Sequence, residues 1–334
     1  MKEVTEKKYL GAIISQDGHN EINIKEGTNK ATGNINKIVS TLSERPFGRH
    51  RFKSLKLMRD GILLGSLLTN IESWINITKA NIEDLEKPDT HLLRKVLAET
   101  GNPCKVFMML ELGFTPVRFV IMQKRLQFLH YILKESTESM IRQVFETLKS
   151  ESRYGDFVYL TNRDKIDLDI ELVEQEIEAM SKRKWKIFLK EKTRKAALSY
   201  LVNENNNKDK TKAIKFEKLE MSQYLKENSS SSLSQTIFSI RSKTLDIKEF
   251  LPWKYSDTDC VKCEKFPETM THFATCLEYK TEEEKHWEDI FINNPVRQKE
   301  IGMIIQKRME IRKEIVQKQE DGQASTNSGS TCSI

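Results

Sequence analysis

Apolar residues recur at helical spacing through most of the chain. Ile24, Ala31, Ile35, Ile38 and Leu42 fall on one face of a helix that opens near Ile22 and is closed by Pro46 and Gly48. Phe52, Leu55, Leu57, Met58, Ile62, Leu63, Leu67 and Leu68 follow, apolar over so much of the circumference that this second helix is expected to be buried. Asn81 is placed to cap a third helix carrying Ile82, Leu85, Leu92, Leu93, Val96 and Leu97, ended by Gly101-Asn102-Pro103. A short helix from Cys104 to Leu112 stops at Gly113. Pro116 then starts a longer one through Phe119, Met122, Leu126, Leu129, Ile132 and Leu133.

The remainder reads less evenly. Tyr9 to Ile14 is strand-like and runs into Gln16-Asp17-Gly18, a hairpin or loop signal. Tyr154 to Asp169 is looser. A long helix is expected from Ile170 through Trp185 and Leu189 to Leu201. Asn203 to Lys212 and the serine-rich Asn228 to Ser234 read as linkers. A charged amphipathic helix is expected from Glu282 to Gln319, its apolar spacing too irregular for a coiled coil, and the residues after it as a disordered tail. The expected fold is therefore mainly α. A short N-terminal β-hairpin (1–20) precedes a helical bundle (21–150), a basic helical connector (151–245), a small knuckle (246–280), an amphipathic helix (281–320) and a disordered tail (321–334).

Composition narrows the classes. A hydrophobic fraction of 38% against 31% charged residues supports a core under a heavily charged surface, and excludes disorder of the whole chain. The net charge of +6 permits nucleic-acid binding without demonstrating it. The N-terminal residues lack the apolar stretch of a signal peptide, and the longest apolar run, Gly61 to Leu68, is too short to span a bilayer, so no membrane partner is expected. Cys332 is third from the end, which is not the prenylation position.

The five cysteines are Cys104, Cys260, Cys263, Cys276 and Cys332. An odd number, with three crowded around one histidine, argues against a disulfide framework and for a reduced intracellular compartment, nuclear or cytoplasmic. Cys260, Cys263, His272 and Cys276 stand as C-x2-C-x8-H-x3-C. Two cysteines two residues apart chelate one ion from a tight turn, and a His and a Cys one helical turn apart face the same ion. Together they make a closed Cys3His tetrahedron, the donor set of a structural zinc site with no open position for water. Zinc ligation in small units supplies roughly 10–16 kcal/mol of apparent folding energy, enough for a segment with few apolar residues. The plainer alternative makes Cys263 and Cys276 small core residues and His272 incidental.

Phe250, Trp253, Tyr255, Phe266 and Phe273 surround this segment, interleaved with Lys248, Lys254, Lys262 and Lys265. The aromatics either stack on unpaired bases beside phosphate-binding lysines or form the small core around the metal. The expected helix through Trp185 is dense in Lys182, Arg183, Lys184, Lys186, Lys190, Lys192, Arg194 and Lys195. It either tracks a phosphate backbone or is a solvated face with Trp185, Phe188 and Leu189 turned inward. There is no P-loop, nucleophile elbow or His-Glu-x-x-His. His91, His130 and Glu83-Asp84 read as packed or solvated groups. Pro88-Asp89 and Glu283-Glu284-Lys285 lie too far apart for a nuclease set.

Four stretches, in order, resemble the C-terminal part of reverse transcriptases of non-LTR (LINE-type) retrotransposons. Lys8 to Ser15 followed by Asp17-Gly18 resembles the primer-grip hairpin. Leu67 to Trp74 ahead of Ile77-Thr78 resembles a thumb stretch. Leu110 to Gly113 with Pro116 and Arg118, then Arg125-Leu126 and Phe128-Leu129, matches a later helical pattern, and the Cys3His segment sits where these proteins often carry a CCHC zinc knuckle. The resemblance covers about residues 5 to 280. Its order and spacing are more specific than any one motif.

The resemblance implies that Tyr9 to Ser15 supported a primer terminus, that Ile35 to Leu133 formed a thumb gripping a template–primer duplex, and that the knuckle bound RNA or DNA. The family polymerises DNA on RNA with two metal ions held by palm aspartates, which lie N-terminal to the Tyr9 stretch. The chain begins at Met1, and no Asp-Asp pair flanked by apolar residues follows, so no catalytic residue is assigned and the chain alone is expected to be inactive as a polymerase. The expected function is binding of RNA or DNA with structural Zn2+. The nucleic-acid contacts are assigned to Tyr9, Lys182, Arg183, Lys184, Lys186, Lys190, Arg194, Trp253, Lys254, Lys262 and Lys265, and self-association or a separate palm chain are further partners. The alternative is a helical protein-interaction scaffold in which the zinc only stabilises the fold.

Overall fold

The computed structural model describes residues 6–9, 12–15, 20–43, 50–97, 101–151, 153–227, 230–292 and 294–327. Two short strands, Glu6–Tyr9 and Ala12–Ser15, pair antiparallel with Glu6 opposite Ser15. The apolar run from Tyr9 is thus divided between two strands, and Gln16-Asp17-Gly18 lies outside the described residues. Helices account for most of the rest, and the chain is mainly α.

The first helices are α1 (Glu21–Ser43), α2 (Arg51–Met58), a π-helical turn (Arg59–Leu63), α3 (Leu64–Leu67), α4 (Lys79–Leu97), α5 (Lys105–Leu112) and α6 (Val117–Lys134). Those that follow are α7 (Met140–Glu151), α8 (Phe157–Asp167), α9 (Glu174–Ala179), α10 (Lys182–Asn206), α11 (Gln223–Glu227), α12 (Ser231–Arg241), α13 (Met270–Thr275) and α14 (Pro295–Asn327). α1 packs on α3 and α4, and α6 packs on α8, α9 and α10. α12 lies along α14 so closely at Gly302 that a Cβ there would come within 2.6 Å of Ile237. Buried apolar side chains form one cluster from Ile24 to Met309. No single described helix is long and apolar enough to cross a membrane. α5 and α6 pass that test only as a pair bent by 60°, and most of their apolar side chains are buried.

Several local readings of the sequence are corrected. α1 buries the expected face, but the second helix is not buried all round: Leu57 is 75% exposed and Ile62 47%. α2 packs on α1 and α11 through the Phe52–Leu55 side, which leaves Leu57 to solvent. Asn81 lies inside α4 rather than at its cap. Its side-chain oxygen accepts the Thr78 N–H (3.1 Å) while the Thr78 hydroxyl accepts the Asn81 N–H, a reciprocal box that starts the helix.

The helix expected from Ile170 is broken. Met180 is extended, and the Ser181 hydroxyl caps a new helix by accepting the Lys184 N–H. Tyr154 to Asp169 is not loose, because Asp156 caps α8 through the Tyr159 N–H at 2.7 Å. The serine-rich segment contains the start of α12, with Ser230 as its cap. α10 continues through part of the first linker, where buried Asn205 bonds the Thr211 hydroxyl and carbonyl. The last helix begins at Pro295 rather than near Glu282 and runs on to Asn327, past Gln319. Proline suits a first helical turn, and Asn294 caps it through the Arg297 N–H.

Among the described residues, four buried arginine–carboxylate pairs tie segments far apart in the chain. Arg59 donates to both oxygens of Asp89 (2.7 and 2.6 Å) and to the Thr115 carbonyl, joining the π-turn to α4 and to the loop before α6. Arg125 pairs with Asp164 between α6 and α8. Arg241 pairs with Glu111 (2.8 Å) and donates to the Ile290 carbonyl (2.6 Å), so α12 is fastened to α5 and to the segment before α14. Arg312 pairs with Glu268. Both partners of each pair are nearly inaccessible to solvent. At Asp164 desolvation wins, since burial pushes the carboxyl up to about 6 against the pull of Arg125.

Asp89→Asn leaves the buried Arg59 guanidinium with only the half-exposed Asp60 carboxylate, at 3.2 Å, as counter-charge. It is expected to cost about 3–5 kcal/mol in urea unfolding. Removing Lys87, whose pair with Asp84 is exposed, should leave the midpoint unchanged. Asp164 supplies a pH test. The folded state holds its proton up to about 6, whereas the ordinary value is 3.8. Its contribution to stability is therefore full below 3.8 and is lost as pH rises through 6. Urea midpoints of the wild type, relative to Asp164→Asn, should fall across that interval.

Candidate metal centre

Cys260, Cys263, His272 and Cys276 come together. One donor atom from each lies within 4.8 Å of every other, so the cluster could hold a metal ion. Cys263 Sγ and His272 Nε2 are 3.3 Å apart. A tetrahedron with ~2.3 Å metal–sulfur bonds has edges of ~3.8 Å, within the span the donors already occupy.

The backbone sets this geometry. Asp259 and Pro267 form an antiparallel bridge, and the Cys260 N–H donates to the Phe266 carbonyl at 2.8 Å. Between them the Glu264 N–H donates to the Cys260 carbonyl, and Glu264 turns the chain with φ 54°. Both cysteines are thereby aimed the same way. The Thr269 hydroxyl caps α13 through the His272 N–H, and the Cys276 N–H closes the turn on the His272 carbonyl at 2.7 Å. One helical turn therefore separates the last two donors.

Burial raises the Cys260 thiol to about 11 and also raises Cys276. Burial opposes ionisation of Cys263 too, but the amide N–H groups of Lys265 and Phe266 outweigh it and lower that thiol. Burial lowers His272, favouring the neutral ring that ligates metals. A cation bound here would displace the thiol protons.

α14 holds the centre from outside. Arg308 donates to the carbonyls of Phe273 (2.7 Å), Cys276 (3.1 Å) and Glu282 (2.9 Å). One turn on, Arg312 makes a two-pronged pair with Glu268 (3.0 and 2.9 Å). Glu268 also accepts the Lys248 N–H, and its own N–H donates to the Thr258 carbonyl. Sequence reading missed Arg308, Arg312 and Glu268. The available signal was two arginines four residues apart, in line with the buried Ile301 and Ile305 of the same helix.

The other assigned contacts divide. Lys182, Arg183, Lys184, Lys186 and Lys190 are exposed on α10, while Trp185 and Leu189 are buried beneath them. Arg194 is half-buried and donates to the Leu219 carbonyl at 2.6 Å, and Lys192 pairs with Asp169. Phe250 and Phe273 belong to the core. Trp253 is 72% exposed with Lys210 above its ring, and Phe266 is 59% exposed beside His272. Lys262 and Lys265 are exposed, but Lys254 pairs with Asp246 at 2.6 Å. Tyr9 lies in the first strand. Asp89 and Glu284, once weighed as nuclease carboxylates, are held by Arg59 and Arg297.

Glu268→Gln keeps all four donors but removes the charge facing Arg312. Metal loss to a chelator should accelerate about tenfold or more, and amide exchange across Cys260 to Cys276 should rise with it. An unchanged rate would show that the clamp does not support the site. Comparison with protein-family models, with curated protein sequences and with solved structures gives no match for this chain.

Proposed function

We propose that the chain is a nucleic-acid-binding module that resembles the thumb, connector and CCHC knuckle of a non-LTR reverse transcriptase, with zinc in the Cys3His centre. The observation that carries the metal part is the closed donor set. Three thiols and one imidazole suit zinc, and four protein ligands leave no place for a reacting water, so the ion is structural. Zinc supplies the bonds that hold the Cys260 turn against α13, and this chain's own Glu268, Arg308 and Arg312 hold that unit on α14.

Support for nucleic acid is the face of α10. Lys182, Arg183, Lys184, Lys186 and Lys190 project to solvent from a helix anchored by Trp185 and Leu189. The knuckle adds exposed Trp253 and Phe266 with Lys262 and Lys265. Lysines meeting phosphates beside exposed rings make a surface suited to single strands. No group in this surface is arranged as a polymerase centre, so the proposed activity is binding.

The test is titration of the metal-loaded full chain with single-stranded RNA, an RNA–DNA hybrid and duplex DNA over a salt series. Binding should weaken steeply with salt, and log K should fall by about 0.9 per duplex phosphate contact for each log unit of salt. Cys263→Ser should lose both metal and affinity. A folded, zinc-containing chain that binds none of the three at low salt would overturn the proposal and favour a protein-interaction scaffold.

A further inference from the structure

A cleft of about 580 Å³ lies between α6 and the first turns of α10. Lys124, Lys134, Lys182 and Lys186 line it, together with Phe128 and Tyr131. Some lysines elsewhere are neutralised, as in Lys105–Glu86, Lys149–Glu174, Lys192–Asp169 and Lys254–Asp246. Among the described residues none of the four cleft lysines has a carboxylate within 4.0 Å. Lys124 also reaches the Leu68 carbonyl at 3.5 Å, and the four cations outnumber the single carboxylate in the lining, Glu72, so the cavity is net positive and attracts an anion.

The walls are shaped before any ligand arrives. Trp185 Nε1 donates to the Leu126 carbonyl at 3.1 Å, and His130 Nε2 contacts the Met180 carbonyl at 3.0 Å, fixing α10 and the turn before it against α6. Phe128 and Tyr131 lie nearly parallel, 13° apart with centroids at 6.0 Å, and Tyr131 is 50% exposed. Its half-exposed ring lines the cleft as a shelf. Glu72 also lines the cavity, and one of its carboxylate oxygens is buried without a hydrogen-bond partner. Phosphate for the lysines and a flat ring for the shelf are two of the parts of a nucleotide. The bases inside a duplex have no free face for such a shelf.

We propose that this cleft takes one unpaired nucleotide of a single strand, with the base on Tyr131 and the flanking phosphates on Lys134, Lys182 and Lys186. This rests on the nucleic-acid reading above, and it names where a strand is gripped.

The test uses the metal-loaded full chain, a short uridine-only RNA and a duplex carrying the same strand. Variants are Tyr131→Ala, Lys134→Ala with Lys182→Ala, and Lys149→Ala as a control outside the cleft. Tyr131→Ala should weaken single-strand binding about tenfold and leave duplex binding within about twofold, which also reports an intact fold. The double lysine variant should lower the salt slope by about one to two, and Lys149→Ala by none. If the wild type binds the strand and the cleft variants match it, the cleft assignment fails while the binding function stands. If the wild type binds nothing, both fail. Displacement of the strand by equimolar uridine monophosphate would identify a free-nucleotide site and overturn the strand assignment. No displacement at large excess supports it.

Discussion

The Arg312–Glu268 pair is the buried ionic tie between the long last helix and the loops around the knuckle, which meet otherwise mainly through apolar packing. Glu268 receives both guanidinium prongs and the Lys248 N–H, while its own N–H closes on Thr258. A single buried carboxylate thus links the loop before the knuckle, the turn that carries Cys260 and the long last helix. The metal centre is small and could bind its ion with no helical array around it. Its orientation relative to the rest of the protein comes from this pair and from Arg308, which occupies the carbonyls at the end of α13. The Cys260 turn and the first turn of α13 set the internal shape of the knuckle, and the arginines fasten it to α14.

The same device recurs at Arg59–Asp89, Arg125–Asp164 and Arg241–Glu111. Burying two charges is costly, and such pairs are often no more stabilising than a hydrophobic substitute. Their value here is positional. A planar guanidinium satisfies a carboxylate and a distant carbonyl at once, and a slipped helix would leave a charge stranded in the core. Helix–helix contacts between leucines tolerate small shifts more easily. The arginines therefore select one packing among several that the apolar faces would allow.

Arginine and lysine accordingly divide the basic charge of the protein. Several arginines are interior ties, while the lysines of α10 and of the knuckle stay at the surface. A net charge of +6 counts both kinds alike. The surface available to a phosphate backbone is read from which cations remain unpaired. That criterion sets aside Arg194, Lys254 and Lys124, which are engaged within the fold, and brings in Lys134 on α6.

Local chemistry was legible in the residues alone. The C-x2-C-x8-H-x3-C spacing identified four donors that converge, because a tight turn and one helical turn are short-range geometries. The apolar faces of α1 and α4 and the Gly113 and Pro116 boundaries were legible for the same reason. Readings failed where capping or a distant partner decides: the break at Met180, Asp156 making a helix of an apparently loose stretch, serines that start α12, and solvent on the Leu57 face. The sequence by itself determined that the chain is mainly helical and that one Cys3His cluster forms. Only the tertiary structure decided which arginines are buried, which lysines are left uncompensated and how the knuckle sits on α14. Those outcomes depend on pairings between residues tens to more than a hundred positions apart, and desolvation makes each charge's role a property of its neighbours rather than of its own type.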